Sequence, residues 1–427
     1  MAKNDKNIIV GLDIGTSTVK TVIATIDEDN DINFEGLGIS KSLGMKRGMV
    51  VDINASVQSI QDSVETAEQV AGHKIKSVYA NISGNHIQSY DANGRAAISD
   101  NKEVSKDDLN SVEESAKAIT LSNDQEILHV LPKDYEIDGQ DGIKVPLGMS
   151  GIAIDGRYHL VTGAKNARDN IEKCIKKCQI DPESIVLEQL ASSMSVLTED
   201  EKDLGVCLVD IGGGTTDIAI YSNGAIEYTS SVSLGGDQVT NDLAQALKTS
   251  THNAEELKKS YGCISSEHNE NDEVEVPGVG DRPSRPVKKN IIIDVMSYRY
   301  EEIFNFVKEK IAQSGFDARI PAGIVLTGGS SQSAGIEDLA ERVFHKQVRV
   351  GIPQYISGGS ADLIRNPEFS ACVGLLIYAR EKGSDQLTHQ DEDFMSFLKG
   401  LYRKLFYWAK IINKNNDQQT VGIVIIF

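Results

Sequence analysis

The sequence predicts an α/β protein of two lobes facing each other across a ligand cleft, and three observations predict it. The segment "VDIGGGTTD", residues 209–217, sets an aspartate at the end of an apolar run and three glycines directly after it. The segment "GLDIGTSTVK", residues 11–20, repeats that pattern: with Asp13 on Asp210, Ile14 falls on Ile211, Gly15 on Gly212, Thr18 on Thr215 and Lys20 on Asp217, without a gap. At 427 residues the chain is long enough for one lobe around each copy.

Each copy reads as a strand, a tight turn of small residues and a second β-branched strand. The second copy continues through a turn at Asn223-Gly224 into another strand. No lysine follows the glycines, so the segment is not a P-loop. No third glycine leads into a helix, so it is not a dinucleotide fingerprint. Two facing Gly/Ser/Thr turns instead make a phosphate clamp, because successive turn N–H groups form a donor nest that needs no net charge. Gly11, Gly15, Gly212, Gly213 and Gly214 supply backbone, and Thr16, Ser17, Thr215 and Thr216 supply hydroxyls. Asp13 and Asp210 suit Mg²⁺ held through water, since Mg²⁺ keeps several waters and prefers carboxylates plus phosphate. Lys20 reads either as a phosphate partner or as a solvated strand residue.

Two further glycine clusters extend the site. "AGIVLTGGSS" is a buried-type strand ending in Gly328, Gly329 and Ser330, suited to a backbone passing close to a base or ribose. Gly235 and Gly236 open a helix whose N–H groups could meet phosphate. Downstream, Glu255 and Lys258 share one helix face, where they read as ribose and base contacts or as a surface ion pair.

This order of motifs resembles the actin/Hsp70/sugar-kinase superfamily, in which two α/β lobes enclose ATP. Within it the chain is similar to the FtsA family of bacterial cell-division proteins from about residue 7 to 414, through "SVLTEDEKDLGVCLVDIGGGTTDIAIY", "EVPGVGDRP", "AGIVLTGGSSQ" and "FSACVGLLIYA". The resemblance implies an actin-like two-lobe fold that binds ATP and Mg²⁺, with at most slow ATPase activity. It implies self-association into filaments, binding of the C-terminal tail of FtsZ and contacts with later division proteins. It also implies a peripheral place on the cytoplasmic side of the inner membrane at the septum. Glu188 stands where sugar-kinase-like relatives carry a carboxylate that positions the attacking water. It reads equally as an acid at a helix start. Arg299 and Glu302 are the implied FtsZ contacts. A pilus-assembly actin homologue and a small-molecule kinase of the same superfamily are the rival readings.

Along the chain, residues 1–83 form the first lobe core, joined by 166–203 and 359–385. Residues 84–165 break the actin pattern and read as an inserted small α+β subdomain, in which His129 and His159 read as satisfied core or edge residues rather than ligands. Residues 204–232 and 323–358 form the second lobe core, and 233–322 its outer subdomain. The charge balance, 43 basic against 63 acidic residues for a net −20, argues against nucleic-acid binding by the body. Five scattered cysteines suit reduced thiols, and "MAKNDKN" runs into a strand rather than an apolar signal region.

A polar linker, 386–393, leads to a segment of different character. At a helical period Phe394, Phe397, Leu398, Leu401, Leu405, Trp408 and Ile412 share one face, while Lys399, Arg403, Lys404 and Lys410 bring positive charge and no acid intervenes. Residues 394–414 therefore read as a C-terminal amphipathic helix lying on anionic lipid. Residues 415–427 end in "VGIVIIF", too short to span a bilayer, and their role stays open.

Overall fold

The computed structural model describes residues 7–99, 102–264, 272–358 and 360–383. The expected linker 386–393, the helix 394–414 with all its membrane residues and the tail 415–427 lie outside the described residues.

The first lobe opens with β1 (Asn7–Ile14), which turns at 15–17 into β2 (Thr18–Ile26) and then β3 (Ile32–Lys41), all antiparallel. A small hairpin follows, β4 (Met45–Lys46) and β5 (Met49–Val50). Helix α1 (Ile53–Ala71) starts where the Asp52 carboxylate accepts from the Asn54 and Ala55 N–H groups, and it ends at left-handed Gly72. Its buried stripe includes Ile60, Val64 and Ala67. Strand β6 (Ser77–Ile82) then runs parallel to β1.

The inserted segment is α+β, as expected. It holds β7 (Gln88–Ala97), α2 (Lys106–Ala116), β8 (Gln125–Ile137), β9 (Gln140–Ile143) and β10 (Ala153–Ala164) in an antiparallel sheet of order β7-β10-β8-β9. Ser105 and Asp108 cap α2 reciprocally. Its own core gathers Val112, Ile137, Ile154, Tyr158 and Leu160. His129 and His159 are buried: His129 Nε2 accepts the Leu187 N–H at 2.9 Å, and His159 Nε2 meets Thr229 Oγ1 at 3.1 Å.

The chain returns through α3 (Lys165–Lys177), β11 (Asp181–Leu187) parallel to β6, α4 (Glu188–Val196) and α5 (Glu199–Leu204). The second lobe then repeats the first. Strands β12 (Val206–Ile211), β13 (Thr216–Ser222) and β14 (Ala225–Val232) run antiparallel, with Asn223 and Gly224 at positive φ in the tight turn between the last two. The outer elements are α6 (Gly236–Leu247), α7 (Thr251–Tyr261), the hairpin β15 (Glu273–Val276) and β16 (Arg285–Lys288), and α8 (Lys289–Ser314). Strand β17 (Ile324–Thr327) lies parallel to β12, as β6 does to β1. After α9 (Ile336–Phe344), β18 (Val348–Val350) completes a sheet of order β14-β13-β12-β17-β18.

Strand β19 (Ile356–Ser357) pairs with β3, completing the first sheet in the order β11-β6-β1-β2-β3-β19. The chain thus crosses back to the first lobe before residue 358, slightly earlier than expected. A last helix starts at 370, and residues 379–383 are helical. Each lobe has its own apolar core, one around Leu12, Ile23, Val78 and Leu187, the other around Val209, Ile218, Tyr300 and Leu326. No helix among the described residues is long and apolar enough to cross a membrane.

Candidate functional site

The two turns are built alike. The Gly15 N–H donates to the Thr18 carbonyl at 3.1 Å, and the Gly212 N–H to the Thr215 carbonyl at 3.0 Å. In register, Asp13 pairs with Lys20 and Asp210 with Asp217, the same two positions of each hairpin. The turns also touch. A Cβ on Gly213 would stand 1.9 Å from Ser17 Oγ and 3.0 Å from its Cβ, so a side chain there would push Ser17 aside. Ser17 Oγ donates to Asp237 Oδ1 at 2.9 Å, tying the first turn to α6, and Thr16 Oγ1 accepts the Gly48 N–H at 3.0 Å.

Between the lobes lies a cavity of about 550 Å³, within the range of small-molecule sites. Its lining includes Asp13, Gly15, Thr16, Ser17 and Lys20 from the first hairpin and Asp210, Gly212, Gly213 and Thr215 from the second. Gly236, Glu255, Lys258, Gly328, Gly329 and Ser330 line it from the second lobe, and Glu188 from the start of α4.

The floor is acidic. Asp13 is buried: its Oδ1 accepts from Asn81 Nδ2 at 2.8 Å, and its Oδ2 pairs with Lys20 Nζ at 3.1 Å. Lys20 is thus a buried ion-pair partner rather than a solvated strand residue. Burial works against its charge, but Asp13 and Glu368 outweigh that and raise its pKa. Burial, with Asp13 adding, pushes Asp210 up to about 6 despite a bond from Ser192 Oγ. Burial, with Asp210 adding, pushes Asp217 up to about 7. Glu188 is raised by burial first and then by Asp217, Asp210 and Asp13. Carboxylates gathered this way favour a cation among them, and Asp217 Oδ1 has no hydrogen-bond partner. Among the described residues no three His, Cys, Asp or Glu side chains could hold a metal directly. Asp13 and Asp210 both line the cavity, and carboxylates so placed fit a cation that keeps part of its water shell.

At the outer end Lys258 Nζ pairs with Glu255 Oε2 at 2.7 Å. Thr240 joins them, its hydroxyl donating to Glu255 at 2.5 Å and accepting from Lys258 at 2.8 Å. Lys258 outweighs the cost of burying Glu255 and lowers its pKa.

Four expected contacts lie off the cavity. A Cβ on Gly11 would stand 2.5 Å from the Cys372 carbonyl oxygen, so this glycine serves close packing against the last helix. Thr216 is fully buried and donates its hydroxyl to the Leu234 carbonyl. Gly214 packs against Thr16, and Gly235 against the Gly212 carbonyl. The first two N–H groups of α6 are also engaged, Gly236 donating to the Gly212 carbonyl at 2.9 Å and Asp237 to that of Gly213 at 2.8 Å. Helix α6 thus clips the second turn in place rather than presenting those two donors to a ligand. Sequence reasoning missed Gly48, Ser83, Asp237 and Glu368 in the lining, and Asn81 and Ser192 behind it. Arg299 and Glu302 sit on α8, where Arg299 bonds Asp242 at 2.5 Å and also pairs with Glu302.

A family model described as "Cell division protein FtsA" matches residues 207–374, and one described as "SHS2 domain inserted in FTSA" matches residues 84–162, the inserted subdomain. Cell division protein FtsA of Pseudomonas aeruginosa is 48% identical over 382 residues, 89% of this chain and 91% of that one. Among solved structures, the PilM–PilN type IV pilus biogenesis complex aligns with TM-score 0.63 at 15% identity, covering 87% of this chain and 98% of that one. MreB5 of Spiroplasma citri, bound to AMPPNP, aligns with TM-score 0.52 at 14% identity, covering 90% and 99%. These two share the actin-like fold.

Proposed function

The chain belongs to the FtsA family of cell-division proteins, and on that premise we propose that it binds ATP with Mg²⁺ between its lobes, polymerises, and tethers FtsZ filaments to the cytoplasmic face of the membrane at the septum. The observation that carries the nucleotide reading is the pair of register-matched turns meeting across the acidic cavity. Gly15, Thr16, Ser17, Gly212, Gly213 and Thr215 would hold the phosphates, and Asp13 and Asp210 would hold Mg²⁺ through water. Bound there, Mg²⁺ would neutralise phosphate charge that the acidic floor cannot. Gly236, Glu255, Lys258, Gly328, Gly329 and Ser330 would contact ribose and base. MreB5, a nucleotide-bound relative in fold, supports this use of the cleft.

Glu188 would orient water. Burial, with Asp217, Asp210 and Asp13 adding, raises its pKa, and ATP hydrolysis would be slow at most. The outer subdomain, with Arg299 and Glu302, would take the FtsZ tail, and residues 394–414 would lie on anionic lipid. Later division proteins would bind the assembled filament. The kinase rival gives no reason for a basic terminal segment, and the likeness to the pilus complex is one of fold at 15% identity.

Liposome co-sedimentation tests the whole reading. Full-length protein with ATP and Mg²⁺ should carry FtsZ down with vesicles containing anionic lipid. FtsZ left in the supernatant while this protein pellets would overturn the tether. Rapid ATP consumption driven by a small-molecule acceptor would revive the kinase.

A further inference from the structure

The aspartates of the two hairpins are oriented by different parts of the molecule. In the first lobe Asn81, at the end of β6, donates to Asp13 Oδ1 at 2.8 Å and accepts the Ile14 N–H at 2.7 Å. Both residues belong to one sheet, so their geometry is fixed inside that lobe. In the second lobe no neighbour from the same sheet, among the described residues, plays this part for Asp210. Its Oδ2 accepts instead from Ser192 Oγ at 2.5 Å. Ser192 lies on α4, the helix that continues from β11 of the first sheet. Helix α4 packs on strands of both sheets, β6 and β11 of the first and β12 and β13 of the second, so the bond ties Asp210 to the helix that joins them.

Ser192 is fully buried and Asp210 nearly so. It stands four residues after Glu188, one helical turn along the same face. One turn of helix thus carries both the cavity carboxylate and the hydroxyl that holds Asp210. The neighbouring Ser193 points elsewhere, its hydroxyl meeting Tyr221 OH at 2.6 Å on β13.

We propose that Ser192 is a positioning residue for the Mg²⁺-linked nucleotide: its hydroxyl holds Asp210 in the orientation that anchors the cation's water shell, and it couples that orientation to Glu188 through α4. The inference rests on the nucleotide reading above. Partners that orient a metal's carboxylates behind the site cost about 10–100-fold in metal affinity when removed. Ser192→Ala removes the donor without adding bulk. Ser192→Thr keeps the hydroxyl. Ser193→Ala removes an equivalent bond from the same helix without touching Asp210.

The test is titration of a fluorescent ATP analogue in EDTA and across a Mg²⁺ series, with melting curves for every variant. Ser192→Ala should bind in EDTA as wild type does and lose about tenfold or more of the Mg²⁺-dependent gain. Ser192→Thr and Ser193→Ala should keep the gain. A Ser192→Ala protein with the full gain would overturn the proposal. Equal losses in Ser192→Ala and Ser193→Ala would also overturn it, showing only that α4 had loosened. If Ser192→Ala does not fold, a folded Ser192→Thr decides: the gain kept supports the role of the hydroxyl, the gain lost overturns it. A wild type with no Mg²⁺-dependent gain would overturn the nucleotide reading itself, and this inference with it.

Discussion

Gly374 of the last helix lies so close to Ala191 of α4 that a Cβ at 374 would stand 1.8 Å from the Ala191 carbonyl oxygen. In an exposed helix, Gly→Ala stabilises by about 1 kcal/mol. Here the added methyl meets backbone, which cannot swing aside, so the two helices must separate. Gly374→Ala should destabilise the protein by about 1–3 kcal/mol, in the range of overpacked cores. A melting temperature equal to or above wild type would show that the helices part freely.

Asp210→Ala should abolish Mg²⁺-dependent ATP binding and leave the fold intact. The two effects separate by pH. Burial, with Asp13, raises the folded pKa to about 6 from an ordinary 3.8. The folded state holds that proton more tightly, so without a cation the wild type loses stability as pH rises from about 4 through about 6. The variant lacks this loss. In magnesium-free buffer its melting temperature should gain on wild type across that window, while calorimetry at neutral pH should show the Mg²⁺-dependent ATP binding gone.

His159 gives the opposite slope. Burial lowers its pKa from 6.5, opposed by Asp91 and helped by Lys133. The unfolded chain therefore binds a proton that the folded chain refuses, and stability falls as pH drops below about 6.5. His159→Gln should flatten that fall. Melting curves between about pH 5 and 7.5 decide it, and an unchanged slope would place the titrating group elsewhere.

Arg299→Glu should weaken binding of an acidic FtsZ tail peptide and spare ATP binding. Because Arg299 already pairs with Asp242 and Glu302, a partner carboxylate must share or displace those contacts, and the reversed charge would repel all three. Equal peptide affinities by calorimetry would move the contact to another part of the outer subdomain.

A chain ending at Asp393 should fail to float with anionic liposomes, and Trp408→Glu should nearly fail. Large apolar side chains contribute about 1.5–3 kcal/mol each when fully buried, and basic residues about 1 kcal/mol each near anionic lipid. Glutamate at 408 weakens both. Equal flotation of the chain ending at Asp393 and the full chain would exclude the helix as anchor. Loss of flotation only on removing 417–427 would assign the role to the tail.

What could be read from the sequence was local. The twin hairpins announce themselves because strand, turn and strand are contiguous, over residues 7–26 and 206–222, and repeat without a gap, and their register in space is the one the alignment implies. The inserted α+β unit was legible for the same reason. What escaped was long-range. Asn81, Ser192 and Asp237 come from separate elements and carry no pattern of their own; only folding sets them against Asp13, Asp210 and Ser17. Gly11 misled because it shares the face of Asp13 but lies under the last helix, against the Cys372 carbonyl, a neighbour distant in sequence, while Thr216 points to the face opposite Thr215 and is fully buried. The N–H groups of α6 misled because their partners are the turn carbonyls of the neighbouring motif, a pairing with no trace in the helix itself.

The inserted subdomain leaves and rejoins the chain within the first lobe, yet its sheet rests on β14 of the second. Ser89 Oγ donates to the Thr229 carbonyl, His159 meets the Thr229 hydroxyl, and Lys133 bridges Asp91 to Glu227. This joint has a consequence for ancestry. A block of sequence acquired late into an older fold is ordinarily free to be lost or exchanged as a cassette. Here the host strand carries half of the docking chemistry, so transplanting the insert alone would take Glu227 from Lys133 and Thr229 from His159 and Ser89. Insert and host strand are expected to descend as one heritable unit, with changes at Glu227 or Thr229 accompanied across relatives by changes at Lys133 or His159.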